Sequence, residues 1–245
     1  MNDAHKELDG FIQRAMGIIA REQTVTLPHN EIITDPEKAL VFGRCAMAFK
    51  MFEAFAKLHC NDIALAGAPI ARTLLELEMR TLEAIQRCKT PDDARREIMY
   101  SVYKHYLEVK QIIGNDTDPR VVRSEQDAQP YIKDYGATTS GGKNLGEIAQ
   151  AIGQEDHYRY LYADMSVITH GYGLSTEYFL ENHGDVVGMR KELERYPEGW
   201  AAVIAILSFL ELWAANVRPG INEEIKQLVG DFAKHTTENA GQKDI

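Results

Sequence analysis

Apolar residues recur at the spacing of an α-helix along most of the chain, so the pattern predicts a protein built from helices. Proline and acidic residues follow Asp35 and Thr90, and Asn144 stands three positions before Glu147. Both arrangements are typical of helix starts. Residues 24–27 and 184–189 suit only short extended pieces. The predicted helices cover residues 3–22, 36–60, 62–88, 91–113, 144–153, 155–172, 197–218 and 222–236.

Short connections join most of these helices, which implies antiparallel neighbours within one bundle. We therefore expect an all-α fold, a single-domain helical bundle over residues 1–245 with short irregular connections. The segment near 114–143 is expected to be irregular and flexible, because it ends in the glycine-rich run 136–142. The tail 237–245 is expected to fray.

Residues 200–217 are almost continuously apolar, which raises the question of a membrane span. The stretch is marginal in length for a span, and Glu211 interrupts it. A helix that is apolar all round is more often the centre of a bundle. We expect a buried core helix, with Glu211 paired or at its edge, and no membrane partner.

The net charge, the cysteines and the histidines limit which partners and ligands the protein is expected to have. The net charge of −10 disfavours broad binding to DNA or RNA, whose phosphates an acidic surface repels. Cys45, Cys60 and Cys88 form an odd, widely spaced set that suits reduced, buried thiols. Together with a polar N-terminus that lacks an apolar leader, they predict a cytoplasmic protein. The histidines are scattered, so the sequence predicts neither a metal site nor a cofactor.

The helix predicted over 155–172 has two distinct sides. Arg159, Ala163, Ser166 and His170 follow one line of that helix, which suits either the wall of a polar pocket or a solvated face. Ser166 and His170 are one turn apart, but nucleophilic catalysis also needs an orienting acid and an oxyanion site. The other side is an apolar stripe of Tyr158, Leu161, Tyr162, Met165, Ile168 and Tyr172.

The helix predicted over 62–88 carries alternating charges on one side, which include Arg72 and Glu76. Such i, i+4 alternation is usual on a solvated, ion-paired face. Glu78 differs because it falls in the middle of the apolar side, where a carboxylate must be paired, protonated or facing a cavity. Arg44 lies on the apolar side of the preceding helix, so we predict a buried Arg44–Glu78 pair.

Two stretches together carry a family resemblance. Residues 71–84, ARTLLELEMRTLEA, and 158–171, YRYLYADMSVITHG, are similar in that order to the bacterial family DUF5677. The resemblance implies an all-α protein in which Arg72, Glu76, Ser166 and His170 converge in a polar cluster. The charged side of helix 62–88 agrees with this only if it faces helix 155–172 across a cleft.

The sequence is compatible with three functions. The first is a ligand-binding or regulatory bundle in a bacterial defence or mobile-element context. The second is a metal-independent, HEPN-like ribonuclease or phosphodiesterase toxin, although the Arg-x4–6-His motif of that group is absent. The third is a protein-interaction module. The candidate catalytic residues are His170, Ser166 and Glu76, and the candidate ligand-binding residues are Arg72 and Arg159. The expected partners are a second copy of the chain and a small ligand or RNA.

Overall fold

The computed structural model describes residues 3–28, 34–60, 64–137, 143–163, 165–166, 180–182, 187–189 and 197–241. Two strands of three residues pair antiparallel, β1 (Leu180–Asn182) and β2 (Val187–Met189), and β2 falls within the predicted extended piece 184–189. Every other regular element in the described ranges is helical, so the all-α fold is confirmed. The helices are α1 (Asp3–Glu22), α2 (Pro36–Cys60), α3 (Ala64–Arg87), α4 (Pro91–Ile113), α5 (Pro119–Tyr135), α6 (Leu145–Ile152), a π-helix (His157–Tyr162), α7 (Pro197–Asn216), a 3-10 turn (Pro219–Ile221) and α8 (Asn222–Gly241).

Local capping signals fix two of the helix starts as the sequence predicts. The Thr90 side chain accepts a hydrogen bond from the Asp93 amide, and the Asp93 carboxylate accepts one from the Thr90 amide, which makes a capping box. Asn144 and Glu147 form the same kind of capping box at the start of α6. Helix α4 then ends at Gly114, whose φ of 64° is the left-handed conformation that glycine adopts without strain.

Helix α7 lies at the centre of the bundle and packs against α1, α2, α3 and α8. Its indole at Trp213 is buried and donates to a carboxylate oxygen of Glu22 at 2.9 Å, which satisfies the buried N–H. Among the described helices, only the stretch Glu198–Asn216 has the length and mean hydropathy (1.5) for a membrane span, and 67% of it is buried within the fold. Glu211 lies on its exposed side.

Helices α2 and α3 approach closely at a glycine. A Cβ atom added to Gly67 would lie 2.9 Å from two ring carbons of Phe55, which is fully buried. Real side chains do not pack that closely, so a residue without a side chain is required there. The contact sets the spacing between the two helices.

The prediction of an irregular segment over 114–143 is wrong for residues 119–135, which form α5. Asp118 caps the helix, and Pro119 occupies its first turn. Its inner face is Val121, Ser124, Ala128 and Tyr131, with Tyr131 stacked on Tyr103 of α4 at 5.0 Å between ring centres. The last five residues of the run 136–142, namely 138–142, lie outside the described part of the chain.

Two smaller expectations also need correction. Residues 237–241, expected to fray, continue helix α8, and residues 242–245 are outside the description. The cysteines are free, as expected, but only Cys45 is buried, whereas Cys60 is exposed and Cys88 is half-buried.

Candidate functional site

A polar seam forms where α3 meets residues 157–163 and 165–166. This segment begins as a π-helix, in which the amide of Ala163 donates to the carbonyl of Tyr158, five residues earlier. A π-turn is wider than an α-turn, so residues five apart come into line. Tyr162 in this turn and Ser166 after it both face α3. Their side chains bind the same residue of that helix.

That residue is Arg72. Its Nε donates to Ser166 Oγ at 2.9 Å, and an Nη donates to the Tyr162 hydroxyl at 2.6 Å. The guanidinium carbon is also 4.8 Å from the centre of the Tyr162 ring, within range of a cation–π attraction. Two polar residues that are 94 positions apart in sequence, Arg72 and Ser166, are therefore in direct contact.

Arg72 differs from two other half-buried arginines in what its positive charge contacts. Arg44, Arg72 and Arg80 are half-buried. Arg80 pairs with Glu76 at 3.0 Å, and Arg44 pairs with Glu97 at 3.6 Å. Within the described residues, Arg72 has hydroxyl partners only. Its positive charge is thus held in place but not neutralised by any carboxylate there.

The remaining predicted site residues occupy different places. Glu76 lies one turn from Arg72 on α3, and its carboxylate accepts from Arg80. Arg159 is exposed and makes no hydrogen bond or ion pair with another described residue. The π-turn explains this, because a wheel drawn at 3.6 residues per turn misplaces Arg159 relative to Ser166. His170 lies outside the described residues.

Tyr162 is the site residue that the sequence analysis missed, since it was assigned to the apolar stripe. Its ring does pack in that way, stacked on Tyr158 with 5.4 Å between ring centres. Its hydroxyl nevertheless reaches Arg72. A tyrosine that carries an apolar body and a polar tip can serve both surfaces. Its spacing of four residues from Ser166, one α-helical turn, is the signal that could have placed its hydroxyl beside the polar line.

The predicted Arg44–Glu78 pair is wrong. Arg44 turns toward α4, where it meets Glu97, whereas Glu78 turns toward α7. Glu78 is fully buried, and its Oε1 accepts from Ser208 Oγ at 2.6 Å and from Gln154 Nε2 at 3.1 Å.

Burial dominates the electrostatics of Glu78. Loss of solvent raises the pKa of this carboxyl above its ordinary value, and the hydrogen bonds from Ser208 and Gln154 and the charge of His157 offset only part of that rise. The carboxylate that the sequence placed on an apolar face therefore has neutral hydrogen-bond partners and no arginine among its described contacts.

The chemistry of the Arg72 cluster favours binding over nucleophilic attack. A guanidinium stays protonated in proteins and is no base, so its bond to Ser166 does not activate that hydroxyl. Each hydroxyl accepts from Arg72 and keeps its own hydrogen to donate. In the part of the chain that the structure describes, no three His, Cys, Asp or Glu side chains lie together as metal ligands.

Comparison with known proteins agrees with the motifs in this seam. The model of DUF5677, described as a family of unknown function, matches residues 38–187, more than half of the chain and a range that includes Arg72, Tyr162 and Ser166. No curated protein and no solved structure matches.

Proposed function

We propose that this chain, which belongs to the DUF5677 family of unknown function, is a ligand-binding or regulatory bundle that takes a small phosphate-bearing ligand at Arg72, Tyr162 and Ser166. The observation that carries the proposal is the half-buried guanidinium of Arg72, whose partners among the described residues are all neutral hydroxyls.

The unused hydrogen-bond donors of the cluster support an anionic ligand. A guanidinium has five N–H groups, and Arg72 uses two of them on Ser166 and Tyr162. The others have no partner among the described residues and can bind a ligand, together with the hydroxyl hydrogens of Tyr162 and Ser166. Several donors around one positive charge suit the terminal oxygens of a phosphate group better than the two oxygens of a carboxylate.

The surroundings favour a small ligand over a nucleic acid. Partial burial strengthens the attraction between Arg72 and an anion, because less water screens it. The chain as a whole carries a net charge of −10, which repels a polyanion but costs a single phosphate group much less. This is why we favour a small-molecule ligand over RNA.

The proposal is tested by calorimetric titration with inorganic phosphate. Arg72→Gln should weaken binding about 10- to 100-fold, since a hydrogen bond to a charged group contributes about 1.5–3 kcal/mol. Arg80→Gln is the matched control, because Arg80 is also half-buried on the same helix but is already paired with Glu76. Its affinity for phosphate should equal that of the wild type.

Equal loss of affinity in both arginine variants would mean that phosphate responds to overall charge and not to this site. Binding that survives Arg72→Gln unchanged would contradict the proposal directly. Acetate, titrated in parallel, separates phosphate from carboxylate ligands, and we expect it to bind more weakly.

A further inference from the structure

A second polar cluster lies deeper in the bundle, where α3, α7 and the start of the π-helix meet. It consists of Glu78 on α3, Ser208 on α7, Gln154 just after α6 and His157, the first residue of the π-helix. Glu78 is fully buried, and both of its hydrogen bonds with described side chains end on the same oxygen, Oε1. The other carboxyl oxygen, Oε2, has no hydrogen-bond partner among the described residues.

Three buried atoms of this cluster have no hydrogen-bond partner among the described residues. They are Glu78 Oε2, Gln154 Oε1 and His157 Nδ1. An orphaned polar atom in a protein interior is costly, so buried oxygens and nitrogens are nearly always satisfied. The amide oxygen of Gln154 can only accept, as can both oxygens of an ionised Glu78. The cluster therefore has acceptors in excess of donors.

We propose that Glu78, Gln154 and His157 form a buried proton-binding site, in which the carboxyl group of Glu78 is neutral and its hydrogen on Oε2 is donated to Gln154 Oε1 or, when His157 is neutral with a bare Nδ1, to that nitrogen. One proton then satisfies two buried atoms at once. If the acceptor is Gln154 Oε1, the acid and the amide join through two hydrogen bonds, since Gln154 Nε2 already donates to Glu78 Oε1 at 3.1 Å.

Burial outweighs the one charge that acts on Glu78, and the balance raises its pKa. Ser208 from α7 and Gln154 from the end of α6 are neutral, and from the π-helix only His157 exerts a charge, which favours the ionised form but offsets only part of the effect of burial. On α3 itself, the nearby carboxylate of Glu76 is paired with Arg80. Within the described residues, no arginine or lysine compensates an ionised Glu78, and an uncompensated buried carboxylate is costly enough to take up a proton.

The proton also links this cluster to the Arg72 seam. His157 and Tyr162 are the first and last residues of the π-helix, and Tyr162 accepts from Arg72. Loss of the proton leaves an ionised, buried carboxylate whose Oε2 has no hydrogen to share with the amide oxygen of Gln154, close to the start of that turn. We therefore expect the turn to loosen and anion binding at Arg72 to weaken as pH rises, a consequence that rests on the proposed function.

The first test is infrared spectroscopy of the wild-type protein near neutral pH, without added anion. A protonated carboxyl group has a carbonyl band distinct from that of carboxylates. We expect this band in the wild type and its loss in Glu78→Gln. The matched control is Glu53→Gln, because Lys57 and Lys50 lower the pKa of Glu53 to about 2 and keep it ionised. The control should retain the band.

Unfolding by urea gives a second measurement on the same proteins. The folded-state pKa of Glu78 is raised, so the proton stabilises the fold fully below the ordinary carboxyl pKa, and this contribution is lost as pH rises through the folded value. The unfolding equilibrium constant should therefore rise by up to tenfold per pH unit in that window. Glu78→Gln keeps a neutral donor in place of the acid and should abolish this component of the slope.

The results separate the two proposals. A wild type without the neutral carboxyl band overturns the proton site, even if Glu78→Gln does not fold. A band that persists in Glu78→Gln overturns it as well. Titration with sulfate, whose charge does not change near neutral pH, then tests the link. The band without sulfate binding contradicts only the proposed function, whereas sulfate binding without the band contradicts only the proton site.

Discussion

The contact between Arg72 and the Tyr162 hydroxyl should be measurable as a coupling energy. Tyr162→Phe removes the oxygen that accepts from Arg72 at 2.6 Å but keeps the ring that lies 4.8 Å from the guanidinium. A hydrogen bond to a charged group contributes about 1.5–3 kcal/mol, and solvent near two half-buried side chains replaces part of that. We expect a coupling of about 1 kcal/mol.

The assay is a double-mutant cycle in urea denaturation, which compares the wild type, Tyr162→Phe, Arg72→Gln and the double variant. A second cycle with Tyr160→Phe serves as the control, because Tyr160 is 67% exposed and is two residues away on the same turn. The control pair should show no coupling. If the Tyr162 pair couples by less than about 0.3 kcal/mol, which is the usual limit of additivity, the seam as described is refuted.

Two further predictions concern packing and the undescribed histidine. Gly67→Ala should lower the free energy of unfolding by about 1–3 kcal/mol, because its Cβ would overlap the Phe55 ring. Gly10→Ala, with open space around the added Cβ, should raise the free energy of unfolding by about 0.5–1 kcal/mol. Urea denaturation measures both, and equal effects would contradict the close approach of α2 and α3. His170→Ala should abolish phosphate binding, and any RNA cleavage, with the melting temperature unchanged; a strongly lowered melting temperature or unaltered binding would remove His170 from the site.

Local features of this fold were predictable from sequence because their causes are local. The boxes at Thr90 and Asn144 depend on residues three positions apart, and the core position of α7 follows from its nearly unbroken apolar run. Helix α5 was missed because its inner face includes Ser124 and Ala128, which carry a weak apolar signal. That face becomes recognisable only when Tyr103 is seen against it.

The site was less predictable because it depends on which helices become neighbours. The family resemblance, not the helical wheel, pointed to Arg72 and Ser166 together, and the structure brings them into contact. The wheel did single out Glu78 as an acid on an apolar face, but it gave no means to choose Ser208 and Gln154 over Arg44 as its partners. The π-turn breaks the periodicity on which the wheel relies, so the wheel placed Arg159 wrongly relative to Ser166.

The most direct test of the central claim is a titration of the wild-type protein with inorganic phosphate, followed through the side-chain Nε–H signals of its arginines by NMR. The claim predicts that the Arg72 signal shifts and saturates while the signal of Arg80, which is paired with Glu76, stays in place. An Arg72 signal that does not move, or one that moves only in step with exposed arginines such as Arg159, would contradict the assignment of an anion site to this seam.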